Sequence, residues 1–126
     1  MNCIKKIHTD KAPAAIGPYS QAVAVNGILY TSGQIPVDPA TGTVVEGDIA
    51  AQAEQVMKNL MEVLNAAGTT QENVIKTTCF LADMDDFAEF NRIYEMYFTE
   101  RPARSCVAVK TLPKDALCEV ELTALI

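Results

Sequence analysis

Nowhere in the 126 residues do about 18 apolar residues run together without charge, and the lysines near the start (Lys5, Lys6) are not followed by an apolar stretch. Neither a membrane span nor a secretion signal is read, so a cytoplasmic protein is expected. Positive charge is also scarce: 10 Lys and Arg face 16 Asp and Glu, a formal net charge of −6. Phosphate binding rests on clustered cations, so this balance argues against nucleic-acid partners while leaving room for one small basic pocket. Histidine is nearly absent, and the single His8, with no partner of its kind, reads as a surface residue rather than a catalyst. The four cysteines (Cys3, Cys79, Cys106, Cys118) stand far apart, without the close pairs or nearby histidines that a zinc or redox site requires. They read as reduced thiols, most of them buried. Cys106 lies beside a suspected site, but no neighbouring histidine makes it a nucleophile. Repeats and low-complexity segments are lacking too.

What is present suits one folded domain over residues 1–126. Hydrophobic residues make up 49% of the chain and charged ones 21%, which sets it apart from disordered sequences. At this length one core suffices. Residues 2–8 and 20–25 read as short strands, and Asn26-Gly27 before Ile28-Leu29-Tyr30-Thr31 is a two-residue hairpin signal. Two prolines and a glycine make residues 12–19 an extended loop, and Asp38-Pro39-Ala40-Thr41-Gly42 a second turn. Asp48 is placed to cap a helix whose apolar positions (Ile49, Ala53, Val56, Met57, Leu60, Leu64, Ala67) recur until Gly68 stops it. Residues 74–81 read as a strand. A second helix is expected to begin near Asp83 to Asp86 and to carry Phe87, Phe90, Tyr94, Tyr97 and Phe98 along one side, as core rather than a ligand box. Residues 105–109 and 118–125 complete the strands. This order predicts an α+β domain: a mixed sheet covered on one face by two helices.

Polar residues out of place on their elements are the candidate site: Tyr19 after Gly17-Pro18, Ser32-Gly33 at a strand end, Arg104 after Pro102-Ala103, and Glu119 inside an apolar strand. Each also has a plain structural reading. Arg104 could be a surface arginine, and Glu119 with Glu121 the solvent face of an edge strand. Tyr19 could be ordinary packing and Ser32 a turn residue.

The chain resembles the RidA (YjgF) family over nearly its whole length. The resemblance runs through Ala15-Ile16-Gly17-Pro18-Tyr19-Ser20-Gln21-Ala22, Thr31-Ser32-Gly33-Gln34-Ile35-Pro36, Pro102-Ala103-Arg104-Ser105-Cys106-Val107, and Leu112-Pro113-Lys114 followed by Glu119. It implies a chorismate-mutase-like fold and a homotrimer with clefts between neighbouring subunits. It also implies hydrolytic deamination of enamines and imines (2-aminoacrylate/2-iminopropanoate and 2-iminobutanoate) to 2-keto acids and ammonia, with neither metal nor organic cofactor. Carried over by position, Arg104 holds the substrate carboxylate and Glu119 positions water and accepts its proton. Cys106 contributes its backbone carbonyl, Tyr19 and Ser32 shape the pocket and bond the substrate, and the Gly33 N–H meets the carboxylate. A carboxylate near its usual pKa of about 4.3 already serves as a base at neutral pH.

This chain departs from the family pattern twice. Thr99-Glu100-Arg101 before Pro102 is shorter than in many relatives, which could alter the cleft or the subunit contact. Cys118 replaces the usual aliphatic residue in a small buried role. A non-catalytic module that binds or senses small carboxylates such as 2-keto acids remains the alternative, with RNA cleavage or translation inhibition, names attached to some relatives, below it.

Overall fold

Asp48 opens the first helix, α1 (Ile49–Ala66), in a computed structural model that describes residues 3–126. Its carboxylate accepts the Ala51 N–H at 3.1 Å, satisfying one of the donors a helix start leaves without a partner. At the other end Gly68, with φ +81°, turns the chain out of the helix. Its N–H meets the Asn65 carbonyl and the Thr69 N–H meets that of Leu64, each at 3.0 Å. Between these caps Ile49, Ala53, Val56, Met57, Leu60, Val63 and Leu64 are buried. Burying such a side chain contributes about 1.5–3 kcal/mol, and truncating Leu60 to alanine would cost roughly 2–5 kcal/mol because a cavity remains.

The strands are β1 (Lys5–Ile7), β2 (Ala22–Val25) and β3 (Ile28–Thr31), then a small separate hairpin of β4 (Val37–Asp38) and β5 (Thr43–Val44). The expected first strand is thus shorter, and Asn2, where it was to begin, lies outside the described residues. Asn26 and Gly27, with φ of 52° and 78°, form the β2–β3 turn in the left-handed conformation a tight hairpin requires. The second strand starts later than residue 20 because Ser20 and Gln21 are held by loop contacts instead. The β4–β5 hairpin surrounds the expected turn, where the Asp38 carboxylate accepts the Ala40 N–H at 2.9 Å.

The second half runs β6 (Val74–Leu81), α2 (Phe87–Tyr97), β7 (Ala103–Ala108) and β8 (Cys118–Leu125). Asp83 caps a single 3₁₀ turn, Met84–Asp86, so α2 begins at Phe87, after the acidic run. The main sheet is ordered β1-β2-β3-β8-β6-β7, with β6 and β7 parallel across the α2 crossover and the other pairs antiparallel. Along β8, Cys118, Val120, Leu122 and Ala124 are buried in the same core as the α1 stripe, while Glu119, Glu121, Thr123 and Leu125 point the other way. The core therefore lies between the sheet and its two helices. Phe90, Tyr94 and Phe98 belong to it as expected, whereas Phe87 and Tyr97 are only partly buried.

Candidate active site

Gln21 organises the loop that enters the site. Fully enclosed, it has no water to bond, so its amide satisfies itself on the loop backbone. Its Oε1 accepts the Thr9 N–H at 2.7 Å, and its Nε2 donates to the carbonyls of Thr9 at 3.0 Å and Pro13 at 2.8 Å. Beyond that anchor Tyr19 folds back on its own turn, its hydroxyl accepting the Ile16 N–H at 3.2 Å and its ring lying against Gly17. Ser32, just past β3, donates its hydroxyl to the Ser20 carbonyl at 2.6 Å, which ties the loop to the strand end. The hydroxyl proton of Ser32 is committed to the protein; its lone pairs remain free to accept.

Gln34 then returns to the sheet through paired backbone hydrogen bonds with Val120, at 2.8 and 3.1 Å. This bridge sets Gly33 beside Glu119. A Cβ on Gly33 would overlap the Glu119 carboxylate, so the carboxylate can rest where it does only because the residue beneath it is glycine. Tyr19, Ser32, Gly33 and Glu119 line one cleft together with Ile16, Ile35 and Pro113. Burial raises the pKa of Glu119 above the ordinary carboxylate value, and the neighbouring charge of Glu121 adds to the rise. The carboxylate is thus a stronger base than its reference value implies.

Arg104 and Cys106 lie elsewhere on the chain. In the β6–β7 register Arg104 pairs with Thr77 and Cys106 with Cys79, and the Thr77 hydroxyl meets the Tyr94 hydroxyl of α2 at 2.7 Å. Side chains at these positions are on the helix-covered face. Glu119 pairs with Phe80, three positions farther along β6 and on the opposite face. One chain therefore brings together Tyr19, Ser32, Gly33 and Glu119 but keeps Arg104 and Cys106 apart from them. The guanidinium carbon of Arg104 stands 4.8 Å from the Tyr94 ring centre and 5.5 Å from that of Phe87, and Nη1 donates to Asn91 Oδ1 at 2.7 Å. Arg101 and Pro102 line the same recess, so the short segment before Pro102 does border the arginine.

Burial pushes the Cys79 and Cys118 thiols up to about 12, and it also raises Cys106, against which the Arg104 charge pulls. His8 is exposed and bonds Asp10 at 3.0 Å. Among the described residues no group of three or more His, Cys, Asp or Glu is arranged to hold a metal ion. Asn91 and the two rings beside Arg104 are parts of this surrounding that the sequence reading does not single out. Phe87, Asn91 and Tyr94 fall at i, i+4 and i+7 of α2, and a polar residue within an aromatic stripe was the available signal.

A family model described as endoribonuclease L-PSP matches residues 9–126. A RutC family protein of Synechocystis is 54% identical over 126 residues, covering 98% of this chain and 97% of that protein. The 2-iminobutanoate/2-iminopropanoate deaminase of Salmonella typhimurium is 51% identical over 124 residues, covering 95% and 96%. Among solved structures, a Rid-family protein of unknown function from Yersinia pestis superposes with a TM-score of 0.96 at 50% identity, over 98% of this chain and 100% of that one.

Proposed function

This chain belongs to the endoribonuclease L-PSP family, which takes in the RidA (YjgF) and RutC proteins, and from that premise we propose that it hydrolyses 2-imino acids to 2-keto acids and ammonia. The observation that carries the reading is a half-buried carboxylate of raised pKa, Glu119, seated on Gly33 in a cleft walled by Tyr19 and Ser32. The substrates are the small members of the class, 2-iminopropanoate with its 2-aminoacrylate tautomer and 2-iminobutanoate.

In the proposed reaction Arg104 binds the substrate carboxylate with its planar fork, a charge-assisted pair of bonds contributing about 1.5–3 kcal/mol. Glu119 orients a water and takes its proton as oxygen attacks the C=N carbon. The proton then passes to nitrogen, and as Glu119 takes the hydroxyl proton of the tetrahedral adduct the C–N bond breaks, releasing ammonia and leaving the keto acid. The iminium carbon is already electrophilic, so orientation and one placed base suffice, without metal or organic cofactor. The Cys106 carbonyl and the Gly33 N–H complete the polar contacts, and the thiol of Cys106 takes no part.

Because Arg104 and Glu119 occupy opposite faces of one sheet, a cleft containing both needs a second copy of the chain. The family resemblance implies a homotrimer, and we read the protein as one whose sites lie between subunits. The exposed apolar side chains Tyr30, Val107 and Leu125 give the open sheet face something to bury in that assembly. RNA cleavage, the activity in the family's name, would call for a basic footprint and an acid–base pair. The chain offers a net charge of −6 and a lone His8 bound to Asp10.

The test couples a threonine dehydratase to this protein and follows 2-ketobutyrate release. Wild type accelerates release and Arg104→Ala does not. Release at the uncatalysed rate with both proteins, alongside calorimetric binding of 2-ketobutyrate to wild type, would establish a carboxylate-binding module without turnover. A monomer in sedimentation would undo the shared cleft.

A further inference from the structure

The aromatic stripe on α2 does more than fill the core, because its partly exposed end meets Arg104. Phe87, Asn91 and Tyr94 share one face of the helix, and all three touch the guanidinium: two through their rings, at 5.5 and 4.8 Å, and Asn91 through a 2.7 Å hydrogen bond. Tyr94 is itself fixed. Its hydroxyl meets that of Thr77 at 2.7 Å, Thr77 is wholly enclosed, and the ring packs against Phe90 and Phe98 at centroid distances of 6.0 and 4.7 Å.

We infer that Asn91 and Tyr94 are positioning residues that hold the Arg104 guanidinium, before any ligand arrives, in the orientation that receives a carboxylate. The inference rests on the proposed role of Arg104. A guanidinium has five N–H donors in one plane. Both rings lie within cation–π reach of its central carbon, Asn91 takes one donor, and no other hydrogen bond among the described residues engages the guanidinium, which leaves donors for a bidentate partner. A free arginine must give up rotamer freedom when it binds, and one already stacked and tethered has given up much of it beforehand. The tether is a neutral amide, so the cation keeps its charge. The only ion pairs among the described residues are His8–Asp10 and Arg92–Glu89, neither of which engages Arg104, although Glu95 borders the same recess. Delivery of the brace is local, since α2 is the crossover that leads into β7, the strand bearing Arg104.

The experiment measures KM and kcat in the dehydratase-coupled assay for Asn91→Ala and Tyr94→Leu, and 2-ketobutyrate binding by calorimetry for the same substitutions in the wild-type and Arg104→Ala backgrounds. Each substitution alone is expected to raise KM and weaken binding roughly 10-fold with kcat nearly unchanged. On Arg104→Ala neither should cause further loss, because a residue that acts through the guanidinium has nothing left to position. Asn91 is only partly buried, so its variant keeps the test alive if Tyr94→Leu folds poorly. Tyr94→Phe, which keeps the ring and gives up the Thr77 bond, should lose less than Tyr94→Leu. Losses of undiminished size on Arg104→Ala, or an Asn91→Ala protein that binds like wild type while Arg104→Ala does not, would overturn the positioning role alone. Unchanged binding and turnover in Arg104→Ala itself would overturn it together with the function proposed above.

Discussion

Arg104 sits among braced side chains, stacked on Tyr94 and tethered to Asn91, whereas Glu119 rests on bare backbone at Gly33, and no hydrogen bond among the described residues holds its pKa down. Both groups are half-buried and both belong to the candidate site, yet the surroundings act on different properties. A guanidinium keeps its charge in any setting, so what its neighbours fix is direction. A carboxylate changes charge readily, so partial burial without donors adjusts its proton affinity, while the absence of fixed partners leaves its oxygens free for water. The contrast is between a group whose direction is fixed and a group whose basicity is raised.

The sharpest way to break that contrast is to remove basicity and keep shape. Glu119→Gln should lower kcat roughly 10²- to 10⁴-fold, while 2-ketobutyrate binding stays close to wild type. Normal hydrolysis by this variant would end the base role. Gly33→Ala attacks the same group indirectly. The backbone at Gly33 does not have the positive φ of Gly27 or Gly68, so alanine should fold there, but its methyl group would push the carboxylate aside. A displacement of about 1 Å can cost on the order of 10²-fold in rate, and that is the loss expected, with an unaltered circular dichroism spectrum. On the other side of the comparison, Arg104→Lys preserves charge and discards the fork. KM should rise about 10-fold with a smaller change in kcat, and a lysine variant equal to wild type would mean that charge alone suffices.

The same contrast marks how far the amino-acid sequence could be read. The ends of α1 follow from Asp48 and Gly68, and the β2–β3 turn from Asn26-Gly27, because caps and tight turns are decided by the residues at the spot. Glu119 was legible as a polar residue breaking an apolar alternation, and Gly33 from its place at a strand end. Their contact was not, since it depends on the Gln34–Val120 bridge between segments far apart in sequence. The separation of Arg104 from Glu119 likewise emerges only from register, with Thr77 and Phe80 of β6 opposite them. Gln21 reads as a strand residue from sequence, whereas its amide is spent on the loop around Thr9 and Pro13. The aromatic residues of α2 read as core from sequence because periodicity reports which face is apolar, not which end of that face stays open to a partner.

The smallest expected effect concerns stability, and it separates tuning by burial from tuning by hydrogen bonds. Glu119 has a folded-state pKa above its unfolded value, so the native protein binds its proton more tightly than the unfolded chain does. That preference favours folding at pH values below the unfolded pKa and is lost as pH rises through the folded one. At neutral pH the ionised carboxylate is therefore a modest liability, reduced further because the group is half-exposed to solvent. Glu119→Gln should accordingly melt at a slightly higher temperature than wild type at pH 7, and the advantage should shrink as pH falls below the carboxylate range. The acid limb of kcat/KM in the wild type should lie above the ordinary glutamate value for the same reason, since only the ionised form accepts the proton of water. If Glu119→Gln were instead less stable at neutral pH and equal to wild type in acid, the carboxylate would be held by donors within the assembled cleft. Basicity there would then come from contacts like those around Arg104, not from the bare surface of Gly33.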